Sequence, residues 1–220
     1  MNKFARMAGV LFLVSTAAYL IGNGLMDPVL NHPGFLARMY PDRTNVISGS
    51  LLELINAIAV VGIAVLLFPI LKKHNEAFAL GYFGFRIMES ALLIISAIGP
   101  LVLIVLSKSY LSVDTAKGSY FETIGNLVIV THDVLFQTAM IMLGSGSLLL
   151  CYVLYRTRLV PRFLSVIGLI GYSALLASSC LTILGLEIGS VLYIPGAIFE
   201  IMFPVWAIVK GFNLHRDEFR

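Results

Sequence analysis

Four stretches of an otherwise apolar sequence carry side chains that titrate, pair or ligate. Glu53 and Asn56 stand three residues apart, as do Arg86 and Glu89; His132 and Asp133 are adjacent, with Gln137 close behind; Glu200 stands alone between Phe199 and Ile201. On a helix, residues three or four apart share a face, so each of the first two pairs is a local unit. Arg86 keeps its charge in any surroundings and requires a carboxylate, and Glu89, one turn on, is the nearest, with a carboxylate from another helix as the alternative. Carboxyls then outnumber bases. Glu53, Asp133 and Glu200 are left to share His132, to take up protons or to bind a cation, and each outcome is a different function.

A metal centre finds less support. His132 and Asp133 with one of Glu53, Glu89 or Glu200 offer nitrogen and oxygen ligands, but neighbouring helical residues point about 100° apart. His32, His74 and His215 fall in loops or the tail, so no multi-histidine zinc centre assembles and neither metal nor cofactor is expected. Ser50, Ser90 and Ser96 have no spacing that selects a nucleophile, and no catalytic residue is assigned. The bland alternative is that these polar groups are hydrogen-bonding glue between helices, worth about 0.6–2 kcal/mol each.

The elements that position these residues follow from composition. Of 220 residues, 59% are hydrophobic and 12% charged, with a mean hydropathy of +0.94, a surface fit for lipid rather than water. Six apolar runs, about residues 6–26, 48–71, 77–106, 121–155, 162–184 and 189–210, are long enough for helices that cross a hydrocarbon core of roughly 30 Å, and do not alternate as barrel strands do. The chain is expected to be an all-α, polytopic membrane bundle forming a single domain over residues 1–220. The first run continues beyond the small residues Ser15 to Ala18, which favours a retained helix over a cleaved signal.

Basic residues give the orientation. Lys3, Arg6, Lys72, Lys73, Arg156, Arg158, Arg162, Lys210, Arg216 and Arg220 gather on one side, against Arg38, Arg43, Lys108 and Lys117 on the other, so both termini are expected in the cytoplasm. The +3 net charge is scattered over loops, and no nucleic-acid partner is expected. Residues 121–155 would extend roughly 50 Å as one helix, so part must tilt, bend or leave the core; the Gly-Ser-Gly-Ser of 144–147 is either a hinge or a close-packing surface. Pro69, Pro100, Pro195 and Pro204 fall in or at the ends of spans. Tyr19, Tyr40, Tyr110, Tyr120, Tyr152, Tyr155 and Trp206 read mostly as interfacial rings near span ends. Cys151 and Cys180 lie toward opposite faces, and no disulfide is expected. Glu89 and Glu200 are rough counterparts in a 3+3 inverted arrangement, but their flanking sequences share little.

Depth ranks the polar residues. Glu200 and Glu89 fall near mid-span, where a charge costs about 2.5–3.5 kcal/mol; Glu53 lies within about two turns of the outer surface, and the depth of His132 and Asp133 depends on where the over-long helix enters the bilayer. Glu53, Asn56, Arg86, Glu89, His132, Asp133, Gln137 and Glu200 are therefore expected to line a polar pocket between the second, third, fourth and sixth spans, opening outward.

The stretches RMAGVLFLVSTAAYLIG, FALGYFGFRIMES, LVPRFLSVIGLIGY and EIMFPVWAIVKGF, in this order over nearly the whole chain, resemble the DUF4386 family of small bacterial integral membrane proteins. Arg86, Glu89, Pro161, Arg162, Glu200 and Trp206 carry the resemblance. It implies a multi-pass protein of the bacterial cytoplasmic membrane and supplies no catalytic residues. The expected role is to bind or transport a small molecule or proton within the bilayer. A lipid-modifying enzyme using His132 and Asp133, or a non-catalytic membrane partner of another protein, are the alternatives.

Overall fold

The computed structural model describes residues 2–112, 118–186 and 190–213, and every regular element among them is helical. Lys117, His215, Arg216 and Arg220 lie outside the described residues. The helices are α1 (Asn2–Leu30), the short α2 (Phe35–Met39), α3 (Arg43–Lys72), α4 (Glu76–Leu111), α5 (Gly118–Thr157), α6 (Arg162–Ile183) and α7 (Ile194–Val209). Six of them, all but α2, are long and apolar enough to cross a membrane. The last span, Val191–Val209, does not start as α-helix. Ser190–Tyr193 forms a single 3-10 turn, and the α-helix begins where Pro195 fits in its first turn without an N–H to satisfy.

Local chemistry sets the boundaries. The Asn75 side chain accepts from the Phe78 amide at 2.9 Å and caps α4, while Lys72 and Glu76 pair across the turn at 2.9 Å. At α6, Pro161 takes the N-cap place, and the Arg162 guanidinium lies 5.4 Å from the centre of the Tyr155 ring. At the end bearing both termini, the backbone turns on Gly211 at φ 71°, bringing the Phe212 amide to the Asn2 side-chain oxygen at 3.3 Å. Both cysteines are free.

The spans form a closed ring. α1 packs on α3, α3 on α4, α4 on α5, α5 on α6, α6 on α7, and α7 returns to α1. Without a hydrophobic force between helices in lipid, such contacts depend on close approach at small residues. Gly22 of α1 faces Gly49 of α3, Gly171 of α6 lies against the backbone of Pro195 and Gly196, and Gly9 of α1 lies against the carbonyl of Pro204 in α7. The Gly-Ser-Gly-Ser stretch belongs to the same class: α5 runs through it as continuous helix, with Gly144 against the Tyr172 carbonyl and Leu176 of α6, and Gly146 against Phe85 of α4. It is a packing surface and not a hinge.

Two apolar layers close the ring at its ends. Toward the termini, the rings of Phe12, Phe199, Phe203 and Phe212 stack or meet edge-on at centroid distances of 5.0–6.0 Å, amid a core that includes Leu67, Leu71, Leu154 and Leu164. At the far end, α2 lies across the bundle and buries Phe35, Leu36 and Met39 with Met26, Val46 and Leu103. There the Ser107 hydroxyl donates to the Leu36 carbonyl and accepts from the Tyr40 amide at 2.9 Å. The excess length of α4 and α5 lies at this end, where α2 packs against α4 and the Phe35 ring lies against Gly125.

A methyl group on Gly171 would lie 2.5 Å from the Gly196 nitrogen, backbone against side chain with nothing flexible to yield. Gly171→Ala should therefore destabilise the bundle by about 1–3 kcal/mol, lowering its thermal unfolding midpoint in detergent. Gly84→Ala, where nothing lies within 4 Å of the added carbon, should leave the midpoint unchanged.

Candidate functional site

A ring of six helices leaves a centre that the side chains must fill or line. Here they leave a cavity of about 460 Å³ to which all six spans contribute, within the roughly 300–1,000 Å³ common for small-molecule sites. Most of its wall is apolar, including Val60, Ile63, Leu93, Met140, Leu143 and Leu175. Its polar groups are few. They are Ser15, Thr16 and Tyr19 of α1, Asn56 of α3, Arg86 and Glu89 of α4, Tyr172 of α6, and Tyr193 and Glu200 at and within α7.

The charged centre is a buried ion pair beside a carboxyl that has no basic partner among the described residues. Arg86 Nη1 donates to both oxygens of Glu89, at 3.0 and 2.9 Å, and both side chains are 3% exposed. Arg86 Nε donates to the Tyr82 hydroxyl at 3.3 Å, and the guanidinium carbon lies 5.6 Å from the Phe12 ring centre. Charge-assisted bonds, an aromatic face and a phenol thus surround the one buried cation among the described residues. Glu200 accepts from the Tyr172 hydroxyl at 3.3 Å. It lies within electrostatic reach of both Arg86 and Glu89 but forms an ion pair with no described residue. Ser15 donates to the Asn56 side-chain oxygen at 2.5 Å and ties α1 to α3 at the same level.

The cavity is roofed toward the far end. The Tyr19 ring stacks on Phe136 with centroids 5.9 Å apart and planes 5° from parallel, joining α1 to α5 across the interior. Beside them the Tyr193 hydroxyl donates to Gln137 Oε1 at 3.4 Å. The floor is the chain of rings from Tyr172 through Phe199 and Phe203 to Phe12. The opening is at the side. α1 and α7 touch closely where Gly9 meets Pro204, but farther along them Leu20 and Ile201 line the cavity while being 61% and 55% exposed, and Ala197 beside them is exposed too. A residue that both lines a cavity and faces outward is the rim of its mouth. Ile201 lies within α7 and Ala197 in its first turn, and around the rim stand the outward-facing Ile21, Ile198, Met202 and Val205, so the mouth lies on the apolar flank of the bundle.

Of the residues singled out from sequence, Asn56, Arg86, Glu89 and Glu200 converge on this cavity, and Glu53, His132, Asp133 and Gln137 do not line it. The cavity is not confined to the second, third, fourth and sixth spans: spans one and five contribute Tyr19 and Tyr172. His132 has a different occupation. Pro100 has no N–H to give the carbonyl of Ser96, four residues earlier. His132 Nδ1 lies 3.0 Å from that carbonyl and 2.8 Å from the Ser96 hydroxyl, which itself donates to the His132 carbonyl at 3.1 Å. Because a carbonyl only accepts, Nδ1 carries the proton, and the imidazole replaces the helix bond that the proline removed. Ser96 lies ten residues beyond Arg86, about 15 Å along α4, which sets His132 well toward the far end. Asp133, the next residue, is exposed, within electrostatic reach of His132 and of Asp27 in α1. Glu53 is buried, within electrostatic reach of His132 and Asp27, and its Oε2 has no hydrogen-bond partner. Among the described residues, no three His, Cys, Asp or Glu side chains assemble as metal ligands.

The sequence reading missed Ser15, Tyr19, Tyr172 and Tyr193. Tyr19 was grouped with interfacial rings, yet it lies seven residues inside the first apolar run, and Tyr172 is in the middle of the fifth. A phenol at mid-span was the available signal.

Residues 7–211 match the family described as Domain of unknown function (DUF4386). The chain belongs to the DUF4386 family. No curated protein and no solved structure matches it. All the cavity residues lie within the matched DUF4386 region, and so do Pro161, Arg162 and Trp206. In this DUF4386 chain Trp206 is half-buried against the main core, with its indole N–H unpartnered.

The ion pair itself is open to a stability test. Arg86→Met leaves Glu89 uncompensated in the interior and should cost about 3–5 kcal/mol. Replacing both, as Arg86→Met with Glu89→Leu, should recover most of that loss in unfolding measurements on mixed micelles. A double variant as damaged as the single one would show that the guanidinium is held by other groups.

Proposed function

We propose that this DUF4386 protein binds a small molecule or proton in its central cavity and passes it through the bilayer, with Glu200 as the group that takes up and releases charge. The single observation that carries this reading is that Glu200 stands in a roughly 460 Å³ cavity at the middle of the ring, beside an Arg86–Glu89 pair that is already balanced. Were the polar groups there only to hold helices together, a serine or asparagine would serve without the cost of about 2.5–3.5 kcal/mol for a mid-membrane charge. A carboxyl differs from those residues in its ability to exist charged or neutral.

The location belongs to the same proposal. Lys72, Lys73, Arg156, Arg158, Arg162 and Lys210 surround the end that bears the termini, against Arg38, Arg43 and Lys108 at the far end. That asymmetry supports a bacterial cytoplasmic membrane with both termini inside the cell. No reaction step is proposed for His132 and Asp133: the first is engaged with Ser96, and the second does not line the cavity.

Dicyclohexylcarbodiimide, which dissolves in lipid and attacks protonated carboxyls, tests the reading. In proteoliposomes it should modify Glu200, as read by peptide mass, and spare Glu89, both of whose oxygens bond to Arg86. Glu200→Gln should abolish the modification at an unchanged unfolding midpoint. An unmodified Glu200, with a Glu200→Gln variant that is merely less stable, would make the residue internal glue.

A further inference from the structure

We infer that the cavity takes a membrane-soluble organic cation, which enters from the lipid between α1 and α7 and sets its positive group against Glu200. The inference rests on the binding role proposed above and names the ligand class.

Charge counting comes first. Arg86 is neutralised by both oxygens of Glu89, so the surplus group facing the cavity is Glu200. An anionic amphiphile would bring a third negative group to a single guanidinium in a low-dielectric interior, where like charges repel strongly. A cation does the opposite and leaves the cavity neutral. A second acceptor sits on the same residue: Pro204 has no N–H to offer the Glu200 backbone carbonyl four residues before it, and that oxygen needs no deprotonation to accept.

The walls specify the rest of the ligand. Tyr19, Phe136, Tyr172 and Tyr193 supply aromatic faces and phenol oxygens around the polar end, surroundings that favour a soft, weakly hydrated cation. Elsewhere the lining is aliphatic, suited to hydrocarbon. The route agrees with this polarity. The Tyr19–Phe136 stack and the Tyr193–Gln137 bond lie across the far side, the phenylalanine rings lie across the other, and the rim at Leu20, Ala197 and Ile201 is apolar and exposed on the flank of the bundle. A hydrated inorganic ion has no wet path through such a mouth, whereas an organic cation already dissolved in the bilayer does.

Tetraphenylphosphonium and tetraphenylborate, equal in shape and opposite in charge, provide the test. With the full chain in nanodiscs, the phosphonium should bind saturably at one site, and tetraphenylborate should not bind above empty discs. Glu200→Gln should weaken phosphonium binding at least about tenfold, whereas Glu200→Asp, which keeps the charge, should retain more of it. An unchanged unfolding midpoint in both variants separates the loss from misfolding. Saturable binding of the borate, or phosphonium binding that Glu200→Gln leaves intact, would overturn the cation inference. If neither probe binds while carbodiimide still modifies Glu200, the cation inference falls and the binding role stands; if Glu200 is also unreactive, both fall.

Discussion

The contact of Gly9 with the Pro204 carbonyl closes the ring, and much of the remaining structure is a consequence of that closure. Six helices in sequence that did not rejoin would pack as layers with a filled interior. Rejoined, they surround a space that the side chains of this chain do not fill, and on the two ring-closing helices Leu20 and Ile201 both line that space and are exposed. A side chain at position 9 would push against backbone and not against a flexible terminus, so the crossing tolerates only glycine at that separation. Pro204 serves both purposes. Its carbonyl is the surface against which α1 lies, and its missing N–H leaves a polar oxygen at Glu200.

Given that space, electrostatics decides what stands around it. A guanidinium cannot shed its charge, so burying Arg86 commits the interior to a permanent cation that must be paired, hydrogen-bonded and shielded. Glu89, Tyr82 and the Phe12 ring meet those needs completely. Glu200 is then the group the internal structure does not require. Its one hydrogen bond, from Tyr172, orients the carboxyl without neutralising it. The far-end polar residues follow a different logic. His132 repairs a helix bond interrupted by Pro100 and joins α4 to α5 about 15 Å from the charged centre.

The spans were legible because a bilayer imposes length and apolarity on any helix that crosses it, and four of the six runs needed only extension at their ends, while the fifth matched its helix to within one residue. The sixth run matches its span to within two residues, but hydropathy does not register that the span opens on a 3-10 turn, with the α-helix placing a proline in its first turn. Arg86 with Glu89 was legible as an i,i+3 pair, and Glu200 by its distance from both ends of its span. Which helices adjoin was not legible, since in lipid every apolar face suits every other. For that reason Tyr19 reads in sequence as an interfacial ring, Tyr172 attracts no reading, and the pocket is assigned to too few spans. His132 misled for a related reason: its partner is a backbone carbonyl on another helix, and the proline that freed that carbonyl lies in a sequence stretch with no titratable group to draw the eye.

The most direct measurement concerns the mouth, because a cavity open to hydrocarbon and closed to water is the claim that links ring closure, the isolated carboxyl and the ligand class. A nitroxide placed by Ile201→Cys, in a Cys180→Ser background and in lipid bilayers, reports collisions with oxygen, which concentrates in hydrocarbon, and with a water-soluble nickel chelate. The account predicts strong relaxation by oxygen and almost none by nickel. Strong relaxation by nickel would place the mouth in water and contradict it.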